Sequence, residues 1–446
     1  MLASLSSAKP QLTAPRCAVS RSGGSVKSAR RLLSSLDAAP NGAATEALVK
    51  KFVAGSSKST SLGALSFLLS ISSPFAIPVY SRVSKTNWFR WNPKTTASIV
   101  TLLELQNESM EAEILVADSI SRLSKSSKDL SIFYSNLIES LSNHGLTQRA
   151  NEVYTKLQSV PLSGRRSFEL AIKSLCLMGK PTEAESKLKE MILLGYHPSR
   201  FEFALVAQSY GKLGSFSEIK QVVRLMEESE MEIDTVCANV VLSCYADHEE
   251  LTLMVSWLQR MTELGIPFSL RTYNSTLNSC RNILQMIDEI EFLPLSLRGL
   301  IEKIQNDCAP DQNEALVVKE LINSSVLAET VHWSESEVKL DLHGFRAVSA
   351  YVILLQWIEE MRSRFGMEGP AFPGEVSVVC GIGKHSVSGK STVRSLVSKI
   401  LSRMDAPLRL DRKNMGRFVG RGKAVKDWIS HYIFIFLLKS WPTSIG

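Results

Sequence analysis

The stretch FELAIKSLCLMGKPTEAESKLKEMILLGYHP, residues 168–198, reads as two helices separated by a glycine turn. Phe168, Ala171, Ile172 and Leu175 recur at helical spacing, and Leu188 and Met191 continue the apolar seam on the second helix. Gly179 marks the turn, Ala184 is small enough to let the two helices approach, and Gly195 with Pro198 closes the unit. One such hairpin cannot bury both of its faces, so a neighbour is required. The sequence supplies it on both sides. Gly145 and Gly214 stand 34 and 35 residues from Gly179, inside the patterns Ile132-Phe133-Tyr134…Ala150…Leu157 and Phe203…Met226. A fourth unit, Val236 to Leu270, keeps Met261 and Gly265 but carries Glu249 where the turn glycine belongs. A fifth opens at Arg271-Thr272-Tyr273-Asn274 and runs into the acidic stretch of Asp288, Glu289 and Glu291. The array therefore spans 129–285, preceded by a helical cap over 51–128 and followed by a linker or degenerate helical repeat over 286–337. Such stacking predicts an α-helical solenoid.

Beyond the linker the pattern changes. Strand-like and helical stretches alternate: strand Val338–His343, helix Val348–Arg364, strand Glu375–Cys380, helix Thr392–Met404, strand Leu408–Leu410 and helix Ala424–Ile429. That order predicts a small α/β domain over 338–429. Within it Leu340-Asp341-Leu342-His343-Gly344 precedes the loop Cys380-Gly381-Ile382-Gly383-Lys384-His385-Ser386. Asp341 and His343, two apart on a strand, would project to one face. There the pair could orient an imidazole or hold a divalent cation that activates water against a phosphodiester; equally, Asp341 could cap the next helix and His343 make a buried hydrogen bond. The glycine loop sits between a strand and a helix, where backbone N–H groups receive phosphate. Gly381 and Gly383 would allow close approach, with Lys384 and His385 adding charge. Gly389-Lys390-Ser391-Thr392 resembles the end of a nucleotide-binding loop, but the required glycine five residues earlier is Lys384.

The repeat spacing, Leu340–Gly344, the Gly-x-Gly-Lys-His-Ser loop and Asn414-Met415-Gly416-Arg417-Phe418 together resemble plant pentatricopeptide-repeat proteins ending in a small MutS-related (Smr) domain, over about residues 129–429. The resemblance implies single-stranded RNA as ligand, read at about one base per repeat. Its base-reading positions fall on Ser135 with Arg165, Glu169 with Ser199, Ala204 with Asp234, Asn239 with Ser269, and Asn274 alone. Of these, Asn239 with Ser269 resembles a combination the family associates with pyrimidines. For the C-terminal domain it implies nucleic-acid cleavage in some members and none in others. Asp341 and His343 would then be the catalytic or metal-holding pair, with a divalent metal such as Mg2+. Arg417 and Arg421 would neutralise neighbouring phosphates. DNA as the ligand, a purely binding role and a protein-interaction scaffold all stay open.

The net charge of +7 is unevenly distributed. Six Lys/Arg and no acid occur in the first 36 residues, and twelve Lys/Arg against Asp405 and Asp411 lie between 384 and 426. The first cluster, Ser- and Ala-rich, reads as a disordered organelle transit peptide over 1–50, chloroplast before mitochondrion, with a mature end near Ala44 or Ser57. The second suits a phosphate backbone. Seven scattered cysteines without a C-x-x-C pair read as reduced, buried thiols. The run Leu62–Tyr80 is broken by Pro74 and Pro78, and the apolar tail over 430–446 is too short to span a bilayer, so no membrane insertion is expected.

Overall fold

The computed structural model describes residues 23–162, 164–307, 313–365, 372–383 and 391–439. They fall into two compact units divided between Pro198 and Ser199.

The first unit is wholly helical. Helices α1 (Gly23–Asp37), α2 (Gly42–Gly55), α3 (Lys58–Ser70) and α4 (Ala76–Ser84) precede three hairpins. These are α5 (Pro93–Leu105) with α6 (Ser109–Leu123), α7 (Ser127–Asn143) with α8 (Thr147–Gln158), and α9 (Arg165–Leu177) with α10 (Pro181–Leu193). In α9/α10 the seam residues Ile172, Leu175, Leu188 and Met191 are buried with Ala184 between them, each contributing about 1.5–3 kcal/mol. Phe168 and Ala171 are only half-buried.

Two expectations change here. Residues 23–50, expected to be disordered, are largely helical: Ala29, Leu32 and Leu36 of α1 are buried, and α1 packs on α3. The cap expected over 51–128 also ends in a hairpin with the geometry of the repeats. At each repeat turn the amide three residues past the helix reaches back five positions, as in Leu146 N to Leu141 O (3.0 Å) and Lys180 N to Leu175 O (2.9 Å). Glu108 N to Leu103 O (2.9 Å) is the same bond. The residue before the donating amide must take positive φ, and Gly145 (76°), Gly179 (71°) and Asn107 (61°) all do. Asparagine tolerates this region, which is why a search for glycine passes over α5/α6.

The second unit opens with α11 (Arg200–Gly211) and α12 (Phe216–Glu228), α13 (Thr235–Asp247) and α14 (Leu251–Glu263), and α15 (Leu270–Leu277) and α16 (Arg281–Asp288). Glu249 takes the glycine's place at φ 58°, and the hairpin forms regardless through Glu250 N to Tyr245 O (3.0 Å). The segment expected to be a linker is helical: α17 (Leu297–Asp307), α18 (Asn313–Ile322) and α19 (Val326–Thr330). Helix α18 packs on α14 and α15 and so closes the array.

A five-stranded sheet follows. Strands β1 (Val331–Trp333), β2 (Glu337–Asp341), β3 (Glu375–Val379), β4 (Arg409–Leu410) and β5 (Arg417–Arg421) lie in the order β1-β2-β3-β5-β4. β2 and β3 are parallel and the other pairs antiparallel. Helices α20 (Ala347–Arg364), α21 (Thr392–Arg403) and α22 (Gly422–Lys439) complete the domain. It is the small α/β domain that the alternation predicts, but it starts at 331 rather than 338. It also includes β5, where the sequence reading placed no strand. Three residues of β1 and the glycine in β5 give too little alternation to register. Helix α20 is apolar nearly all round, with Tyr351, Leu354, Trp357 and Ile358 buried, because it contacts α15–α19 as well as α21 and α22. Among the described residues no helix is long and apolar enough to cross a membrane. The tail expected after residue 429 begins as a continuation of α22.

Candidate functional site

Parallel β2 and β3 end side by side, and three loops meet at their carboxyl ends, the position at which open α/β sheets place ligands. The first is Asp341–Gly344. The strand stops at Asp341, so Asp341 and His343 do not share a strand face as the two-residue spacing suggests. Asp341 Oδ1 instead accepts the backbone N–H of His343 at 2.9 Å, an Asx turn that aims the chain away from the sheet. His343 is exposed at its tip.

The second loop leaves β3 through Cys380 and Gly381. Gly381 has φ 71°, and a side chain there would meet His343 Cδ2 at 3.3 Å. The third is the turn at Asn414–Gly416. Gly416 O accepts the Cys380 amide at 2.7 Å, and a Cβ on Gly416 would lie 3.0 Å from the Gly381 carbonyl carbon. Glycine is needed at both contact points, so the three motifs separated in sequence form one surface around His343. Gly383 (φ 81°) continues the loop; Lys384 and His385 lie outside the described residues. On the far side Ser391 caps α21, and Arg394 donates to Met415 O at 3.0 Å.

The two arginines taken as phosphate ligands separate. Arg421 is exposed. Arg417 reaches both Glu337 and Glu375 at 2.6 Å and clasps β2, β3 and β5 together, so its charge is already neutralised. Burial pushes the Cys380 thiol up to about 12, against Arg394 and helped by Asp341, which makes it inert as a nucleophile. Asp341 and His343 supply two donors at most, and no group of three His, Cys, Asp or Glu that could hold a metal occurs among the described residues.

On the hairpins, the paired positions proposed for base reading are occupied by the fold. Asn239 is 3% exposed; its Nδ2 donates to Ser269 Oγ at 3.2 Å and its Oδ1 accepts from Thr272 Oγ1 at 2.8 Å. Ser269 and Asp234 are helix caps, of α15 and α13. Ser135 is 4% exposed with a hydroxyl that finds no partner. Ala204 is half-buried against an apolar cavity beside Phe203 and Trp257. Arg165 and Arg166 bind Glu169 at 2.7 and 3.0 Å; despite partial burial, Arg166 and Arg165 hold that carboxyl below the usual carboxylate range. Asn274 faces the α/β domain: its Nδ2 donates to Gly344 O at 2.9 Å and its Oδ1 accepts the Arg346 amide at 2.8 Å.

A pentatricopeptide repeat-containing protein of Arabidopsis thaliana is 41% identical over 428 residues, covering 91% of this chain and 82% of the relative. The chain belongs to the pentatricopeptide repeat family. The PPR repeat pattern itself matches residues 167–196 and 236–266, hairpins α9/α10 and α13/α14, the second in spite of Glu249. The chloroplastic PPR protein ATP4 of Zea mays is 22% identical over 257 residues, covering 55% of this chain and 36% of its own length. Among solved structures, maize PPR10 aligns over 87% of this chain and 66% of its own, at 13% identity and TM-score 0.34. PPR10 in complex with an 18-nt psaJ RNA element aligns over 74% and 60%, at 13% identity and TM-score 0.23. This PPR protein therefore pairs short hairpin units with a C-terminal α/β domain. The sequence reading missed Arg394 and Arg346 beside the His343 surface; the basic excess after residue 384 points to the first, and nothing in the local sequence marks the second.

Proposed function

We propose that this PPR protein binds single-stranded RNA and that its C-terminal α/β domain is a Smr domain that engages the nucleic-acid backbone at His343. The observation that carries the reading is the meeting of the three loops at Gly381, which leaves His343 exposed beside backbone able to approach a phosphate. Arg421, Arg412 and Lys413 are exposed in the same basic domain and favour an anionic ligand. Base identity at Asn239 is not part of this reading, because that amide is spent inside the protein. A second reading, endonuclease activity, is favoured by the exposed imidazole of His343, a residue type that serves as general acid or base.

One experiment separates them. Labelled single-stranded RNA and DNA are mixed with full-length protein and Mg2+, beside Asp341→Ala and His343→Ala variants. Salt-sensitive RNA binding is expected for the native protein. Cleavage lost in both variants makes it a nuclease, binding without cleavage makes the domain a grip, and no binding at any salt overturns the proposal.

We further propose that a transit segment within residues 1–50 directs the chain to the chloroplast. The burial of Ala29, Leu32 and Leu36 in α1 supports a cut before Ala29 rather than near Ala44 or Ser57. Mass spectrometry of imported protein tests this, and a mature end beyond Leu36 would count against it.

A further inference from the structure

Between α12 and α14, the second helices of neighbouring hairpins, opens a cleft of about 190 Å3 lined from beneath by Tyr245 of α13. Its walls carry Lys220 and Arg224 from α12, and Trp257 and Arg260 from α14. Lys220 and Arg224 stand one turn apart, are exposed, and make no ion pair among the described residues. Like charges at that spacing destabilise a helix unless an anion lies between them. Arg260 rests over the Trp257 ring, 5.7 Å from its centroid, and pairs with Glu227. The indole is locked in turn, its Nε1–H donating to Ala238 O at 3.0 Å. Three cations against one carboxylate leave a surplus of positive charge, carried by Lys220 and Arg224. Tyr245 is 2% exposed, its ring edge-to-face with Phe216 at 5.7 Å. Its hydroxyl makes no hydrogen bond among the described residues. Burial pushes that hydroxyl up to about 12, against the nearby Arg260, so it stays protonated and is a donor in want of an acceptor.

We propose that this cleft binds a small phosphate monoester, its phosphate held by Lys220, Arg224 and the Tyr245 hydroxyl and its carbon body against Trp257 and Leu253. Charge decides the class of ligand. A phosphorylated hydroxyl carries about −1.5 to −2 at neutral pH, which matches the unpaired Lys220 and Arg224, whereas a single carboxylate leaves one of them unmatched. An ammonium and a guanidinium on one wall and a hydroxyl from the neighbouring helix also suit the separate oxygens of a tetrahedral group. Size decides the rest: drug-sized ligands occupy about 300–1,000 Å3, so this space takes a phosphate with a few carbons and not a nucleoside. The site is independent of the RNA-binding reading above. None of its residues belongs to the loops at His343, and the diesters of an RNA strand each carry a single charge.

The test is calorimetric titration of the full-length protein with glycerol 3-phosphate, inorganic phosphate and glycerol. Glycerol 3-phosphate should bind at a single site, more tightly than inorganic phosphate, which lacks the carbon body, and glycerol should not bind. Lys220→Ala and Arg224→Ala are each expected to weaken binding at least about tenfold, since each removes a charge-assisted contact. Arg224→Lys should keep most of the affinity. Tyr245→Phe keeps the ring against Phe216 and removes only the hydroxyl, so a several-fold loss of affinity at an unchanged melting temperature separates a ligand contact from a packing role. Native protein that shows no saturable binding of glycerol 3-phosphate overturns the proposal, as does an affinity that Lys220→Ala and Arg224→Ala both leave unchanged. Two further outcomes would also overturn it. Single-stranded RNA that displaces the bound monoester would assign these cations to the nucleic-acid backbone, and a phosphoserine peptide that binds while glycerol 3-phosphate does not would place the phosphate on a protein partner.

Discussion

Glu249 is the residue at which sequence and backbone most plainly conflict. A glutamate at φ 58° occupies a left-handed conformation that costs an L-residue roughly 1–2 kcal/mol, partly offset by its contact with Arg281. Glu249→Gly should stabilise the protein by about 0.5–1 kcal/mol after the glycine's extra unfolded-state entropy, seen as a higher melting temperature; a lower one would show the Arg281 pair to matter more than the backbone. Asn239 makes the opposite case. Its amide joins Ser269 and Thr272 in a buried network, so Asn239→Ala leaves polar groups unpaired at about 1–3 kcal/mol. The loss should appear in urea unfolding, with RNA base preference unchanged; an altered preference at constant stability would return Asn239 to base reading. Its residue type and position resemble a reading pair, and no sequence rule says that the partners will satisfy each other.

At the scale of elements, the apolar period and the turn residues place the helices of the repeat hairpins from α7 to α16, because each hairpin is fixed by local bonds such as Tyr196 N to Met191 O at 3.0 Å. Strands β1 and β5 were not legible, since they are short and owe their existence to partners distant in sequence. The clasp across β2, β3 and β5 is equally non-local: Arg417 meets Glu337 and Glu375 from strands 80 and 42 residues away. The hydrogen bond from Ser377 (2.7 Å) and the Arg417 guanidinium hold the Glu337 carboxyl below its ordinary 4.5, against its partial burial. A carboxyl lowered in the folded state contributes stability above its unfolded value and loses it as pH falls through the folded value. Melting temperature should therefore drop as pH falls below about 4.5, and Glu337→Gln should lose less over the same interval. Parallel acid limbs for the two proteins would remove Glu337 from the account.

Across the molecule, the sequence suggests separable modules, repeats to 285 and an α/β domain from 338, yet the second unit is tied through the residues between them. Glu314 accepts the amides of Asn282 (3.0 Å) and Ile283 (3.3 Å) and so caps α16 from α18. Tyr273 donates to Leu321 O at 2.6 Å, Tyr351 to Pro294 O at 2.7 Å, and Arg403 to Ile290 O and Leu293 O at 2.7 and 2.8 Å. Such bonds join residues tens of positions apart, and their donors look like ordinary surface polar groups until the chain is folded. A fragment beginning at 338 would lack β1 and uncover the face of α20 that meets α15–α19. Each large apolar side chain so exposed costs about 1.5–3 kcal/mol, and two or three of them equal a substantial part of a small domain's stability. The 338–446 fragment should therefore aggregate or unfold without cooperativity, while 199–446 should unfold in urea as one transition followed equally by fluorescence and circular dichroism. Two separated transitions in 199–446, with the later one matching a folded 338–446, would mean that the α/β domain stands alone and that the polar ties only orient it.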